Sequence, residues 1–219
     1  MVIDNVKYLF KVALNMLGIQ SSLALRVGGA LKEDGWFVSY RRMASIDIQG
    51  DPIPWFTYPA IAFIECRLTS DMNVFEYGSG ASTLWWAKRV ATVVSCEHDL
   101  LWYRKISAQL PGNATVKHVE LDGKGRYAST IQNYGKEFDL IVIDGPERVA
   151  CAVNSLSALK DSGVIIWDDS QRDSDECAEG FRFLEAHAFK RIEFVGHKPI
   201  IPNKSETAIF YRPDNIFGI

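Results

Sequence analysis

From Asn73 to Tyr211 the chain alternates short apolar runs with helix-like stretches, and this alternation restricts the fold more than any other feature. Asn73–Tyr77, Thr92–Cys96, Ala114–Leu121, Phe138–Ile143 and Gly163–Trp167 read as strands. Ser82–Ala91, Leu100–Leu110, Arg148–Leu159 and Asp175–Ala188 read as helices, and Tyr127–Tyr134 as a short one. Apolar strands joined by helical crossovers form a parallel sheet covered on both faces. The last two strands, Arg191–Val195 and Thr207–Tyr211, have no helix between them and are expected to pair antiparallel. The expected fold is α/β, a mostly parallel sheet with one reversed strand near its C-terminal end.

Residues 1–70 have a different character and are read as an extension, a lid or a homodimer element, ahead of a sheet domain at 71–219. Val6, Leu9, Phe10, Ala13 and Leu17 recur at helical spacing, which predicts an amphipathic helix rather than a signal peptide or surface anchor. Gly35–Arg42 is rich in aromatics and Asp51–Pro59 alternates prolines with aromatics, and both read as ordered loops. Trp36, Tyr40, Trp55, Phe56 and Tyr58 there either close over a ligand or seal the extension onto the sheet. Ala60–Arg67 reads as a helix leading into the domain.

With 24 Lys and Arg against 27 Asp and Glu, the net charge is −3, which excludes a strongly basic nucleic-acid binder. No uninterrupted apolar stretch reaches the length of a membrane span. Cys66, Cys96, Cys151 and Cys177 are too scattered for a zinc cluster or a disulfide scaffold, so reduced thiols and a cytoplasmic location are expected.

Ligands of open α/β sheets bind beyond the carboxyl ends of the strands. Four such ends carry chemistry here. Glu76-Tyr77-Gly78-Ser79-Gly80-Ala81-Ser82-Thr83 is a glycine turn into a helix. Glu97 ends the next strand, about 20 residues on, where a carboxylate accepts ribose hydroxyls. Asp144 and the pair Asp168-Asp169 end two later strands. A dinucleotide fingerprint needs a third glycine where Thr83 stands, and Glu76 would repel a diphosphate. An acid there suits a ligand with a cationic amino-acid end, such as an adenosyl group on a methionine sulfonium.

Glu76–Gly80, Ser95-Cys96-Glu97-His98, Ile143-Asp144-Gly145 and the closing strand pair together resemble a class I S-adenosylmethionine-dependent methyltransferase over residues 60–213. The resemblance implies a Rossmann-like seven-stranded sheet of order 3-2-1-4-5-7-6. It implies cofactor contacts from Glu76, Tyr77, Gly78, Ser79, Gly80, Ser82, Thr83 and Asp144, with Glu97 on the ribose. Asp122 is the candidate for the adenine, or else a plain turn aspartate before Gly123. Asp144 and Asp168-Asp169 also resemble the acids of metal-dependent O-methyltransferases, which implies a Mg²⁺ held by these three carboxylates. The alternative is that Asp168 or Asp169 caps a following segment and Asp144 lines a metal-free pocket.

The expected activity is methyl transfer to a small-molecule or glycan acceptor at oxygen, without nucleic-acid or membrane-spanning partners. Asp144 is the first candidate for general base, followed by Glu147 and His98, which is also placed to cover the adenine. Arg41, Arg42, Arg148 and Arg172 are candidates for an acidic acceptor. Aminopropyl transfer on the same scaffold, a nucleotide-dependent oxidoreductase, and a degenerate domain without catalysis are the competing readings.

Overall fold

The computed structural model describes residues 2–171 and 174–219, and the side chains of residues 8–171 and 177–219. Its centre is a seven-stranded sheet of order β3-β2-β1-β4-β5-β7-β6, the order that the resemblance implies. The strands are β1 (Asn73–Tyr77), β2 (Thr92–Glu97), β3 (Ala114–His118), β4 (Phe138–Ile143), β5 (Leu159–Asp168), β6 (Lys190–His197) and β7 (Lys204–Tyr211). The first five pair in parallel, and β7 runs antiparallel to both β5 and β6. β6 therefore points the same way as β5, and its end joins the same edge of the sheet.

Every residue of β4 is buried, which explains its unbroken apolar run. Side chains alternate across the pleat and feed two cores. Val74, Leu140, Val142, Val164 and Ile166 face α5 (Tyr58–Glu65) and the tryptophans of α6 (Ala81–Ala87). Phe75, Tyr77, Ile141, Ile143 and Trp167 face a 3-10 helix (Ala128–Asn133), α8 (Arg148–Ser155) and α9 (Ser174–Ala186). Each fully buried large side chain contributes roughly 1.5–3 kcal/mol, so the two layers supply the main drive to fold.

Several element ends move. α6, α8 and α7 (Leu100–Ser107) stop short of their expected limits, and β3 ends at His118 rather than Leu121. β5 begins at Leu159, inside the expected helix end, and its register with β4 shifts between Phe138 and Leu140. A Cβ on Gly163 would lie 2.5 Å from a Leu159 methyl, so the absent side chain admits this irregularity.

The extension is more helical than its composition suggests. α1 (Val2–Met16) and α2 (Ile19–Gly28) are separated at Gly18, whose φ of +69° ends the expected single helix. Leu9, Phe10 and Leu17 are exposed, while the side chain of Val6 lies outside those described. After α3 (Ala30–Glu33), Trp36–Arg42 forms α4 where a loop is expected. Gly35 has φ +81°, and a Cβ there would lie 2.5 Å from the Ile48 nitrogen, so the close return of the chain requires glycine.

Residues 53–65 share the sheet's core rather than forming an appendage. Ile53, Phe56, Tyr58, Ile61 and Ile64 are buried with Val74 and Trp86, so no break in packing falls at residue 70. Thr57 fixes this segment to the closing hairpin. Its N–H donates to Thr207 Oγ1 at 3.1 Å and its hydroxyl to the Phe194 carbonyl at 3.0 Å.

Candidate functional site

The ends of β1, β2, β4, β5 and β6 bring the sequence-identified acids to one edge. The glycine turn sits at its centre. Gly78 N–H donates to the Cys96 carbonyl at 2.9 Å, and Asp144 N–H donates to the Tyr77 carbonyl at 3.0 Å. Gly78 has φ +90°, and a Cβ there would approach the Asp144 carbonyl oxygen to 2.9 Å. Only glycine accommodates both the conformation and the approach. Gly80 is different. Its backbone is extended, and an added Cβ would meet nothing nearer than Trp102 at 3.8 Å. The chain's own packing does not need a glycine there, which leaves room for a ligand beside it.

Glu76 lies beneath this turn and is fully buried. Its Oε2 accepts from Thr83 Oγ1 at 2.5 Å and from Ser95 Oγ at 2.9 Å, and Oε1 accepts from Trp86 Nε1 at 3.3 Å. Thr83 Oγ1 in turn accepts from Gly80 N–H at 2.9 Å. Ser82, also buried, hydrogen-bonds the same carboxyl. Desolvation raises the Glu76 pKa above its ordinary value. In this arrangement the three buried side chains brace the turn from below. Thr83 is the hydroxyl that joins Gly80 to Glu76, a reason for threonine where a dinucleotide site has glycine. Tyr77 is buried as well. Its ring lies in the core and its hydroxyl donates to the Ala128 carbonyl at 2.7 Å, so only its backbone reaches the edge.

Glu97 closes over the turn from β2 and is 4% exposed. Oε2 accepts from Ser79 N–H at 3.0 Å and Ser79 Oγ at 3.1 Å, while Oε1 accepts from Asp99 N–H at 2.9 Å and lies 3.1 Å from His98 Nδ1. The serine hydroxyl and the imidazole hold positions that a ribose diol could take over. Trp102, not singled out from the sequence, donates through Nε1 to the Ser79 carbonyl at 2.5 Å and is partly exposed above the turn. It sits on the first turn of α7, whose N-cap is Asp99, so a tryptophan three residues beyond a capping acid after Glu97 is its only sequence signal.

His98 and Asp122 bond to residues other than Asp144. The exposed His98 ring bonds Glu97 and packs edge-on against Tyr127, on the β2 side of the turn. Asp122 is exposed, and its Oδ1 accepts from Lys124 N–H at 2.9 Å and Arg126 N–H at 3.3 Å. That is the turn-aspartate arrangement, the second of the two roles expected for it. Tyr127, also missed from the sequence, takes a central place. It is fully buried, donates to the Cys96 carbonyl at 3.4 Å, and would lie 2.2 Å from a Cβ on Gly145.

Asp144 is half-buried at the end of β4, and no hydrogen bond or ion pair joins its carboxylate to the described residues. Burial and the charge of Asp168 hold its pKa well above the ordinary carboxylate range, with Arg148 and Lys198 opposing. Glu147 starts α8 with φ +53°, and its Oε2 is buried without a hydrogen-bond partner. No hydrogen bond links Glu147 or His98 to Asp144.

The metal expectation is overturned by a lysine. Lys198 is 2% exposed, with Nζ 3.1 Å from Asp168 Oδ2 and donating also to Asp169 Oδ1. Thr207 Oγ1 donates to Asp168 Oδ1 at 2.7 Å, and Ser205 Oγ to Asp169 Oδ1 at 2.7 Å. An ammonium thus stands where a divalent cation would have to sit. Among the described residues no three metal-ligating side chains converge. Asp168 is nevertheless pushed up to about 6, because burial outweighs Lys198.

Of the arginines, Arg148 reaches the edge. Its Nε donates to the Gly145 carbonyl at 3.2 Å, and a terminal nitrogen lies 3.9 Å from Asp169 Oδ2. Arg41 and Arg42 are exposed at the end of α4, and Arg172 lies outside the described residues. The aromatic segment flanks this edge. Trp36 Nε1 donates to the Ile201 carbonyl at 2.8 Å, Trp55 Nε1 to the Pro199 carbonyl at 2.7 Å, and Lys198 Nζ lies 5.3 Å from the Trp55 ring centroid. Phe56 and Tyr58 serve as core, whereas Trp55 borders the site. A cleft of about 810 Å³ lies elsewhere. It is lined by β3 and the 3-10 helix, including Lys117, Glu120 and Arg126, and does not touch Asp144.

No protein-family model matches the sequence, and no curated protein matches it in sequence. Solved structures do match in fold. An O-methyltransferase from Thermotoga maritima superposes with a TM-score of 0.54 at 15% identity, covering 75% of this chain and 69% of that one. An rRNA methylase from Streptococcus thermophilus gives 0.53 at 13% identity, with 69% and 92% coverage. Spermidine synthase from Thermotoga maritima gives 0.52 at 17% identity over 68% of this chain. The chain spans only 56% and 59% of two spermidine synthase structures that it matches. With its strand order and reversed β7, the protein has the class I S-adenosylmethionine-dependent methyltransferase fold.

Proposed function

We propose that the protein transfers a methyl group from S-adenosylmethionine to an oxygen of a small-molecule or glycan acceptor. The observation that carries this reading is Asp144, a half-buried carboxylate without a hydrogen-bond partner among the described residues, directly beside the glycine turn. The open side of Gly80 and the Glu97 carboxylate fit the adenosyl ligand, with Trp102 covering the turn. The sulfonium supplies an activated methyl group together with its own leaving group. The chain's part is to orient the acceptor and exclude water. Asp144 takes the acceptor proton, which its raised pKa favours over an ordinary surface carboxylate. Arg148 steadies the start of α8 and presents positive charge to the acceptor. Lys198 keeps Asp168 and Asp169 compensated, so that Asp144 is the free base at the edge. Trp55 forms the acceptor-side wall.

Aminopropyl transfer needs several free acids to hold a polyamine, and Lys198 and Arg148 already occupy Asp168 and Asp169. The net charge of −3 argues against a nucleic-acid acceptor.

The test is calorimetric titration of the folded protein with S-adenosylmethionine and S-adenosylhomocysteine, for wild type and Glu97→Ala. Micromolar binding that weakens at least tenfold in Glu97→Ala supports the reading. Failure of the folded wild type to bind either ligand leaves a non-catalytic domain of the same fold.

A further inference from the structure

Among the described residues, nine exposed large apolar side chains fall between Tyr8 and Val27, on and between the first two helices. The principal contacts of α1 are with α2, and those of α2 are with α3. Leu9, Met16 and Leu17 lie on one side of α1 and beyond it, with Met16 85% and Leu17 72% exposed. Ile19, Leu23 and Val27 repeat at four-residue spacing along α2, all exposed. Such a concentration of exposed apolar side chains marks an interaction site rather than a solvated face.

Its charge says what covers it. From Tyr8 to Arg42 the charged side chains are Lys11, Arg26, Lys32, Arg41 and Arg42 against Glu33 and Asp34, a net positive segment in a chain whose sum is −3. Arg41 and Arg42 continue the positive character at the end of α4, beside Met43, which is 69% exposed. Tyr40 and Trp55, amphipathic rings suited to a lipid–water boundary, are partly exposed nearby. A second copy would set this net positive segment against itself, with only Glu33 and Asp34 to meet its five cations. Among the described residues no single helix is long and apolar enough to cross a bilayer. The pair Tyr8–Met16 and Ile19–Glu33 passes by composition but is bent by 95°. A bent, cationic, apolar pair is suited to lying in an interface.

We infer that α1 and α2 dock the protein onto an anionic lipid surface, with Leu9, Leu17 and Leu23 entering the acyl boundary and Lys11, Arg26 and Lys32 facing the headgroups. The inference does not rest on the methyl-transfer reading.

The full chain is floated with phosphatidylcholine vesicles, with and without added phosphatidylglycerol, at low and high salt. Binding to the anionic vesicles is expected to exceed neutral binding at least tenfold and to fall with salt. Lys11→Glu with Arg26→Glu should lower it by about fivefold or more per cation. Leu17→Asp with Leu23→Asp should abolish it, with an unchanged denaturation curve because both positions are exposed. Equal partition to both vesicle types, no flotation, or a stable dimer in sedimentation that Leu17→Asp dissociates would each overturn the inference.

Discussion

Lys198 Nζ lies 3.1 Å from Asp168 Oδ2 at an edge where both residues are almost wholly buried, and the same ammonium donates to Asp169. A buried charge is tolerated only while its partner is present. Lys198→Met removes the cation and leaves two carboxylates in a dry site. The expected loss is roughly 3–5 kcal/mol in urea denaturation. Unchanged stability would mean that Thr207, Ser205 and Arg148 already suffice.

The same cluster sets a pH dependence. The Asp168 pKa is about 6 when folded against 3.8 ordinarily, so the folded state holds that proton more tightly than the unfolded chain. Its contribution to stability is fully present below about pH 4 and is lost as pH rises toward 6. Denaturation curves across that window should show declining stability, and Asp168→Asn should flatten the decline. The exposed acids whose pKa values are lowered, Asp51, Asp71 and Asp161, act in the opposite sense at lower pH.

The strand order, the glycine turn and the acids at the strand ends are legible in the sequence because each is local: an apolar run followed by a small or acidic residue. Lys198 is not legible, because it reaches Asp168 and Asp169 only through the β6–β7 connection, about thirty residues away. Without that cation, three nearby acids read as a metal site. Glu76 misleads for another reason. Strand parity puts it on the same face as Val74, under α6, although its place before the turn suggests ligand contact. The helix at Trp36–Arg42 is obscured by an aromatic composition that also suits an ordered loop.

Gly78 and Gly80 separate architecture from binding. Gly78→Ala places a side chain at φ +90° and 2.9 Å from the Asp144 carbonyl oxygen. It should cost about 1–3 kcal/mol of stability. Gly80→Ala meets only Trp102 at van der Waals distance, so stability should stay within about 0.5 kcal/mol of wild type. Calorimetry should nonetheless show S-adenosylmethionine affinity reduced tenfold or more. Normal binding in Gly80→Ala would show that the open side of the turn is not where the ligand lies.

Glu76→Gln keeps the shape of the side chain and removes a charge that burial disfavours, so it should be tolerated within about 1 kcal/mol. Glu76→Ala strands the Thr83 and Ser95 hydroxyls and the Trp86 N–H in a buried site. That should cost roughly 2–4 kcal/mol in thermal or urea unfolding. Equal effects of the two substitutions would contradict the bracing role.

Asp144→Asn tests the proposed base without disturbing the fold. The carboxylate has no hydrogen-bond partner among the described residues, and burial disfavours its charge, so a neutral amide should leave stability equal or slightly higher. Cofactor binding should persist, because Glu97 and the glycine turn are untouched. Methyl transfer to an acceptor identified by screening should fall about 10²–10⁴-fold, and the acidic limb of the pH–rate profile should disappear. Wild-type turnover in Asp144→Asn would move the proton acceptor to Glu147, whose buried Oε2 is the next unpartnered carboxylate oxygen on this edge.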